Sequence, residues 1–145
     1  MVAVGAQINP EYTEESSGSE VWQTRIAGPE YDNISTHVHD LGSLEEGTYK
    51  IGFVPMGDSP AKIQLTIKGK WTESYNVEPS WRQIFSEEFV LKGTPVDTGI
   101  SKYYTWEYIG QKYVYIPEVE GEANYEIRIE RSGNLEGSVT ISLSR

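Results

Sequence analysis

The stretch SKYYTWEYIGQKYVYIP, residues 101–117, decides how this chain is read. Gly110 followed by Gln111 suits a tight type II′ turn, which takes glycine at its first central position. On that reading the stretch is a β-hairpin. Ile109 would stand opposite Lys112, Tyr108 opposite Tyr113, and Trp106 opposite Tyr115. Side chains alternate across a strand, so Tyr104, Trp106, Tyr108, Tyr113 and Tyr115 would share one face. Two arrangements satisfy the pattern. With Ile109, Val114 and Ile116 in the core, the rings look outward and form a contact surface, because a sheet of rings is unfavourable to leave wet. With Glu107 and Lys112 in water, the rings are the core, since aromatics also pack well on a pleated surface. The polar tips of tyrosine and tryptophan tilt the reading toward contact.

The same period of two runs through the rest of the chain. Ile34, Thr36 and Val38 alternate with Ser35, His37 and His39. Tyr49, Ile51 and Phe53 form one apolar face, and Ile63, Leu65 and Ile67 another. Tyr125, Ile127 and Ile129 follow, then Val139, Ile141 and Leu143. Phe85, Phe89 and Leu91 suit a strand, although residues 80–89 would also fit one or two helical turns. Residues 47–69 and 122–145 resemble each other: a strand opening on tyrosine, a glycine-containing turn, then three aliphatics at alternate positions. They read as two equivalent hairpins. About eight to ten strands, each with one apolar face, predict an all-β, two-sheet antiparallel β-sandwich of jelly-roll type.

Residues 1–33 have a different texture. Asn9-Pro10, the polar run of residues 13–20 and Gly28-Pro29 are loop signals. One short strand candidate, residues 21–26, places Trp22, Thr24 and Ile26 on one face. We read residues 1–33 as an extended N-terminal arm with one strand, belonging to the same unit as a sandwich over residues 34–145.

The chain has 145 residues, no cysteine and a net charge of −10. That length suits one self-sufficient core. Such acidity repels phosphate backbones and anionic membrane surfaces, so neither nucleic acid nor a membrane is an expected partner. No apolar run reaches membrane-spanning length, and Met1 is not followed by a basic-then-apolar leader. This points to a chain used without export, or to an extracellular module if Met1 is not its natural start.

Catalytic chemistry is sparse. Without cysteine, a Gly-x-Ser-x-Gly elbow or a phosphate loop, no nucleophilic or nucleotide site is signalled. Glutamates are abundant but none sits in a setting diagnostic of glycoside cleavage. His37 and His39, next to Asp40, are the only histidines, fewer than a transition-metal site normally needs; the plainer reading puts them on a solvent face. Asp32 and Asn33 offer a weak calcium signal. No enzyme activity and no cofactor are expected. The binding candidates are Tyr104, Trp106, Tyr108, Tyr113 and Tyr115, with Trp81 as a ring just past a turn that could stack on a ligand or plug the core.

Three functions fit. The first is an assembly protein displayed in multiple copies on a larger particle, such as a capsid decoration or other virion surface protein, docking on its own subunits or the particle through its arm and aromatic face. The second is a carbohydrate-binding module stacking an extended glycan on those five rings. The third, an adhesion domain recognising protein, shares the same features.

Overall fold

The computed structural model describes residues 19–26, 36–71, 79–133 and 137–145. Among these are nine strands: β1 (Glu20–Ile26), β2 (Thr36–Gly42), β3 (Gly47–Val54), β4 (Lys62–Trp71), β5 (Ser80–Asp97), β6 (Lys102–Ile109), β7 (Tyr113–Ile116), β8 (Ala123–Ser132) and β9 (Val139–Ser144). They form two antiparallel sheets, in the order β1-β9-β3-β7 and β2-β8-β4-β5-β6. The chain is an all-β sandwich. Its winding, alternating between sheets except along β4-β5-β6, is that of a jelly roll. Residues 80–89 are strand throughout, and the strand expected at residues 21–26 is the edge strand β1. The rest of the expected arm lies outside the described residues.

The core follows from the alternation. Tyr49 and Ile51 of β3, with Val139, Ile141 and Leu143 of β9, are buried against Ile63, Leu65 and Ile67 of β4 and Tyr125, Ile127 and Ile129 of β8. Each fully buried aliphatic contributes about 1.5–3 kcal/mol relative to exposure. The edge strand β1 joins by setting Trp22, Thr24 and Ile26 opposite Leu143, Ile141 and Val139.

The two similar pieces are not hairpins. β3 and β4 lie in different sheets, as do β8 and β9, so each piece is an arch that carries the chain across the core. The arches interlock crosswise. Ile51 pairs with Leu143 and Phe53 with Ile141 in one sheet, while Ile67 pairs with Ile127 and Leu65 with Ile129 in the other. Equivalent residues of the two pieces occupy equivalent places, giving the core an internal two-fold relation. An arch lets both strands bury their apolar faces against each other across the core, whereas a hairpin would leave both in one layer. The arch turns meet at one end, where Ser59 Oγ donates to the Ser138 carbonyl at 2.9 Å and Gly137 N–H donates to the Asp58 carbonyl at 2.9 Å.

The hairpin expected at Gly110 is not formed either. β6 pairs with β5, with Val90 opposite Ile109 and Asp97 opposite Lys102, whereas β7 pairs with β3 in the other sheet. Gly110 therefore sits where the chain crosses between sheets. It is absent from the glycines with positive φ, so no type II′ turn requires it. Its role is close approach: a Cβ there would lie 2.6 Å from Phe89 Cδ1 and 2.9 Å from the Glu88 carbonyl.

Candidate binding surface

β5 is two strands in one. Its first part, Ser80 to Val90, pairs with β4, and its last part, Val90 to Asp97, pairs with β6. Since β4 begins at Lys62, opposite Val90, the segment beyond Val90 runs past the end of β4 as a two-stranded ribbon. Seven further residues of strand carry it about 24 Å. The ribbon leaves the sandwich at Val90 and returns opposite that residue at Ile109, so it is an excursion inserted between two strands of the jelly roll. Its tip is ordered by its own polar groups. Thr98 N–H donates to the Ser101 carbonyl at 3.0 Å, Asp97 Oδ1 accepts from Gly99 N–H at 2.8 Å, and Thr98 Oγ1 accepts from Ser101 N–H at 3.1 Å. Gly99, at φ 84°, takes the left-handed position that other residues avoid. Ile100 beside it is 97 % exposed.

Tyr104, Trp106 and Tyr108 share one face of β6, as alternation demands, but they do not share an environment. Tyr108 is 1 % exposed, in ring contact with Phe53 at 4.9 Å, and its hydroxyl donates to the Pro60 carbonyl at 2.7 Å. Burial holds that hydroxyl protonated far above the ordinary tyrosine range. Trp106 lies flat over Gly93, where a Cβ would meet its ring at 2.6 Å, and against Gly57 of the first arch turn. It is 37 % exposed and clamps the root of the ribbon to the body. Tyr104, next outward, is 59 % exposed and in tilted contact with Trp106 at 5.7 Å between centroids. The same face is core at one end and open at the other because the opposing sheet ends at the arch turns.

The remaining candidates are elsewhere. Tyr113 and Tyr115 are exposed on the outer face of the four-stranded sheet, on β7, while Val114 and Ile116, which alternate with them, are buried. Lys50 Nζ stands 5.9 Å from the Tyr113 ring centroid. The Tyr115 hydroxyl donates to Glu46 Oε2 at 2.6 Å, and that carboxylate raises the tyrosine's pKa. Trp81 is on β5, not in a loop, on the outer face opposite Lys70, whose ammonium lies 5.7 Å from the ring. Trp71, the last residue of β4, faces inward toward Tyr125. The five-ring face is thus corrected: Tyr108 is core, Tyr104 and Trp106 belong to the ribbon, and Tyr113 and Tyr115 belong to the other sheet. Sequence reading missed Ile100 and Tyr103, both exposed on the ribbon. Asp97-Thr98-Gly99, a turn signal between two β-rich runs, could have located them.

His37 and His39 also change sides. They pair with the inward residues Ile129 and Ile127 of β8, so the histidines face the interior and Val38 faces water. Their rings stack 6.3 Å apart, and Trp22 closes over His39 at 5.6 Å. Burial first, and the neighbouring His37 second, lower the pKa of His39. Among the described residues no three histidine or carboxylate groups converge as a metal site. The Asp32-Asn33 calcium signal lies outside those residues. At the end of the sandwich away from the ribbon, a hollow is lined by Glu45, Glu46, Glu118 and Glu122. There Arg145 donates to Glu45 Oε1 at 2.5 Å and to the Glu46 carbonyl at 2.7 Å.

The fold and this surface together define a jelly roll carrying a projecting, aromatic β-ribbon. Neither a family model, a curated protein nor a solved structure matches the chain.

Proposed function

We propose that this chain is a non-enzymatic assembly protein that docks on protein surfaces through its ribbon, in multiple copies on a larger particle such as a virion surface. Jelly rolls build capsids and lectins alike, so the fold by itself does not choose between them. The ribbon carries the reading. It holds Ile100, Tyr103 and Tyr104 in water on an ordered scaffold, and apolar anchors of this kind are what protein contacts bury. Charge points the same way. Over residues 92–107 two lysines offset one aspartate and one glutamate, while the whole chain carries −10. The ribbon is a neutral projection from an acidic body, and a partner can approach it without repulsion.

The extended-glycan alternative needs a flat row of rings. What it retains is the tilted pair Tyr104 and Trp106. The two readings separate by site-specific photocrosslinking in the native cell, with a photoreactive amino acid at Tyr103 or, as control, at exposed Gln83. Docking predicts discrete protein adducts from position 103 and none from position 83. Absence of adducts from the ribbon, with a Trp106-dependent fluorescence change on adding oligosaccharides, would overturn it in favour of glycan binding.

A further inference from the structure

We infer that the partner of the ribbon is a second copy of this chain, paired edge to edge along β6 about a two-fold axis at Thr105. The inference rests on the docking reading above and names its occupant.

The argument begins with the sheet edges. An exposed strand edge offers unpaired amides and carbonyls to any passing strand, and proteins blunt such edges with bulges, charges, prolines or short length. Among the described residues, three of the four edge strands are blunted. β1 carries an extra residue, Val21, where the register shifts against β9. β2 carries Leu41 as an extra residue and Asp40 beside it. β7 is only four residues long and is followed by Pro117. Even the other side of the ribbon has Pro95, which cannot donate. β6 has no bulge, no proline and no shortness to blunt it. It runs for eight residues, Lys102–Ile109, in unbroken register with β5, and contains no proline. Among the described residues no strand pairs with its outer side. Its two charged residues already face opposite charges of the same copy: Lys102 stands opposite Asp97, and Glu107 is opposite Lys92 with Lys112 Nζ 3.7 Å away. Among the described residues one edge is left open, unbroken in register, aromatic and neutral.

A strand that pairs antiparallel with its own copy must set residues of like face opposite each other, so the axis falls on a residue and not between two. Near the middle of β6 the choices are Tyr104, Thr105 and Trp106. Thr105 is the one whose small side chain leaves room at the axis, and threonine pairs are favourable across strands. With the axis there, Tyr104 of each copy faces Trp106 of the other, extending the ring contact each copy already makes. Tyr103 faces Glu107 of the other copy, and no like charges meet. The tip of each ribbon then reaches Gly110 of its partner, so the pairing ends where β6 ends. A copy fits because the same neutral, aromatic edge complements itself, while the acidic bodies lie at opposite ends of the joined ribbons.

The chain has no cysteine, which makes the test direct. At a strand pair on the axis, Cα atoms stand about 4.5–5.5 Å apart, within disulfide range. Under mild oxidation Thr105→Cys should convert to a covalent dimer. Thr94→Cys, opposite Thr105 on β5 and on the same outer face, would be about 14 Å from its copy and should not. Untreated wild type should sediment at twice its 16.4 kDa as concentration rises. Thr105→Lys, which sets two lysines together at the axis, should stay at one. A wild type that is monomeric at every concentration, with Thr105→Cys dimerising no more than Thr94→Cys, overturns the inference. If Tyr103 then still crosslinks to a different protein, docking stands and self-pairing alone falls; if position 103 yields no adduct, both fall.

Discussion

Replacing Tyr108 by phenylalanine removes one oxygen from the root of the ribbon and tests where the core ends. The ring stays in place against Phe53, 4.9 Å away, so packing is preserved. What is lost is the 2.7 Å hydrogen bond to the Pro60 carbonyl, between two buried residues. A buried acceptor left without its donor costs about 1–3 kcal/mol. In a domain of this size 1 kcal/mol moves the melting midpoint about 2–4 °C, so a mid-range loss of about 2 kcal/mol lowers it by about 4–8 °C. Truncation to alanine adds the cavity left by the ring and should cost about 3–5 kcal/mol. Tyr104→Phe, two positions outward on the same face, should stay within about 0.5 kcal/mol of wild type, since its hydroxyl is in water. The assay is equilibrium denaturation of the three variants, with an unchanged denaturant slope confirming that the folded state is comparable. If Tyr108→Phe proves as mild as Tyr104→Phe, the core does not extend to Tyr108 and the reasoning is refuted.

Two further outcomes follow from the same geometry. Gly110→Ala should destabilise by about 1–3 kcal/mol, because its Cβ would press on the Phe89 ring and the Glu88 carbonyl; the loss should shrink in a Phe89→Leu background, as a double-mutant cycle would show. For His39, burial and His37 depress the folded pKa below its ordinary 6.5. Below pH 6.5 the unfolded chain therefore binds more protons than the folded one, and stability falls as pH drops through the folded value. Denaturation midpoints measured from pH 7.5 to 4.5 should fall less steeply for His39→Gln than for wild type.

Much of the architecture was legible because a half-buried strand writes its own period. Ile63, Leu65 and Ile67, or Val139, Ile141 and Leu143, declare an apolar face without reference to any neighbour, and all six are buried. The likeness between residues 47–69 and 122–145 was equally visible, yet its meaning as two interlocked arches was not. Alternation is identical for two strands joined in one sheet and for two that face each other across a core. At His37 and His39 the sequence carries the period but not the choice of faces, because Thr36 and Val38 are no less apolar than the histidines they alternate with.

The candidate surface shows the same division more sharply. That Tyr104, Trp106 and Tyr108 share a face was determined by the sequence alone, since it depends only on the two-residue repeat of an extended backbone. That Tyr108 is sealed, Trp106 half-covered and Tyr104 open was decided by the other sheet, which ends beneath them. Glycine at position 110 was likewise evident as a special place in the chain, but a turn and a close crossing both need a missing side chain, and only the position of Phe89 tells them apart. Periodicity is a property of one strand; burial is a property of whatever lies across from it, and that partner comes from a distant part of the chain.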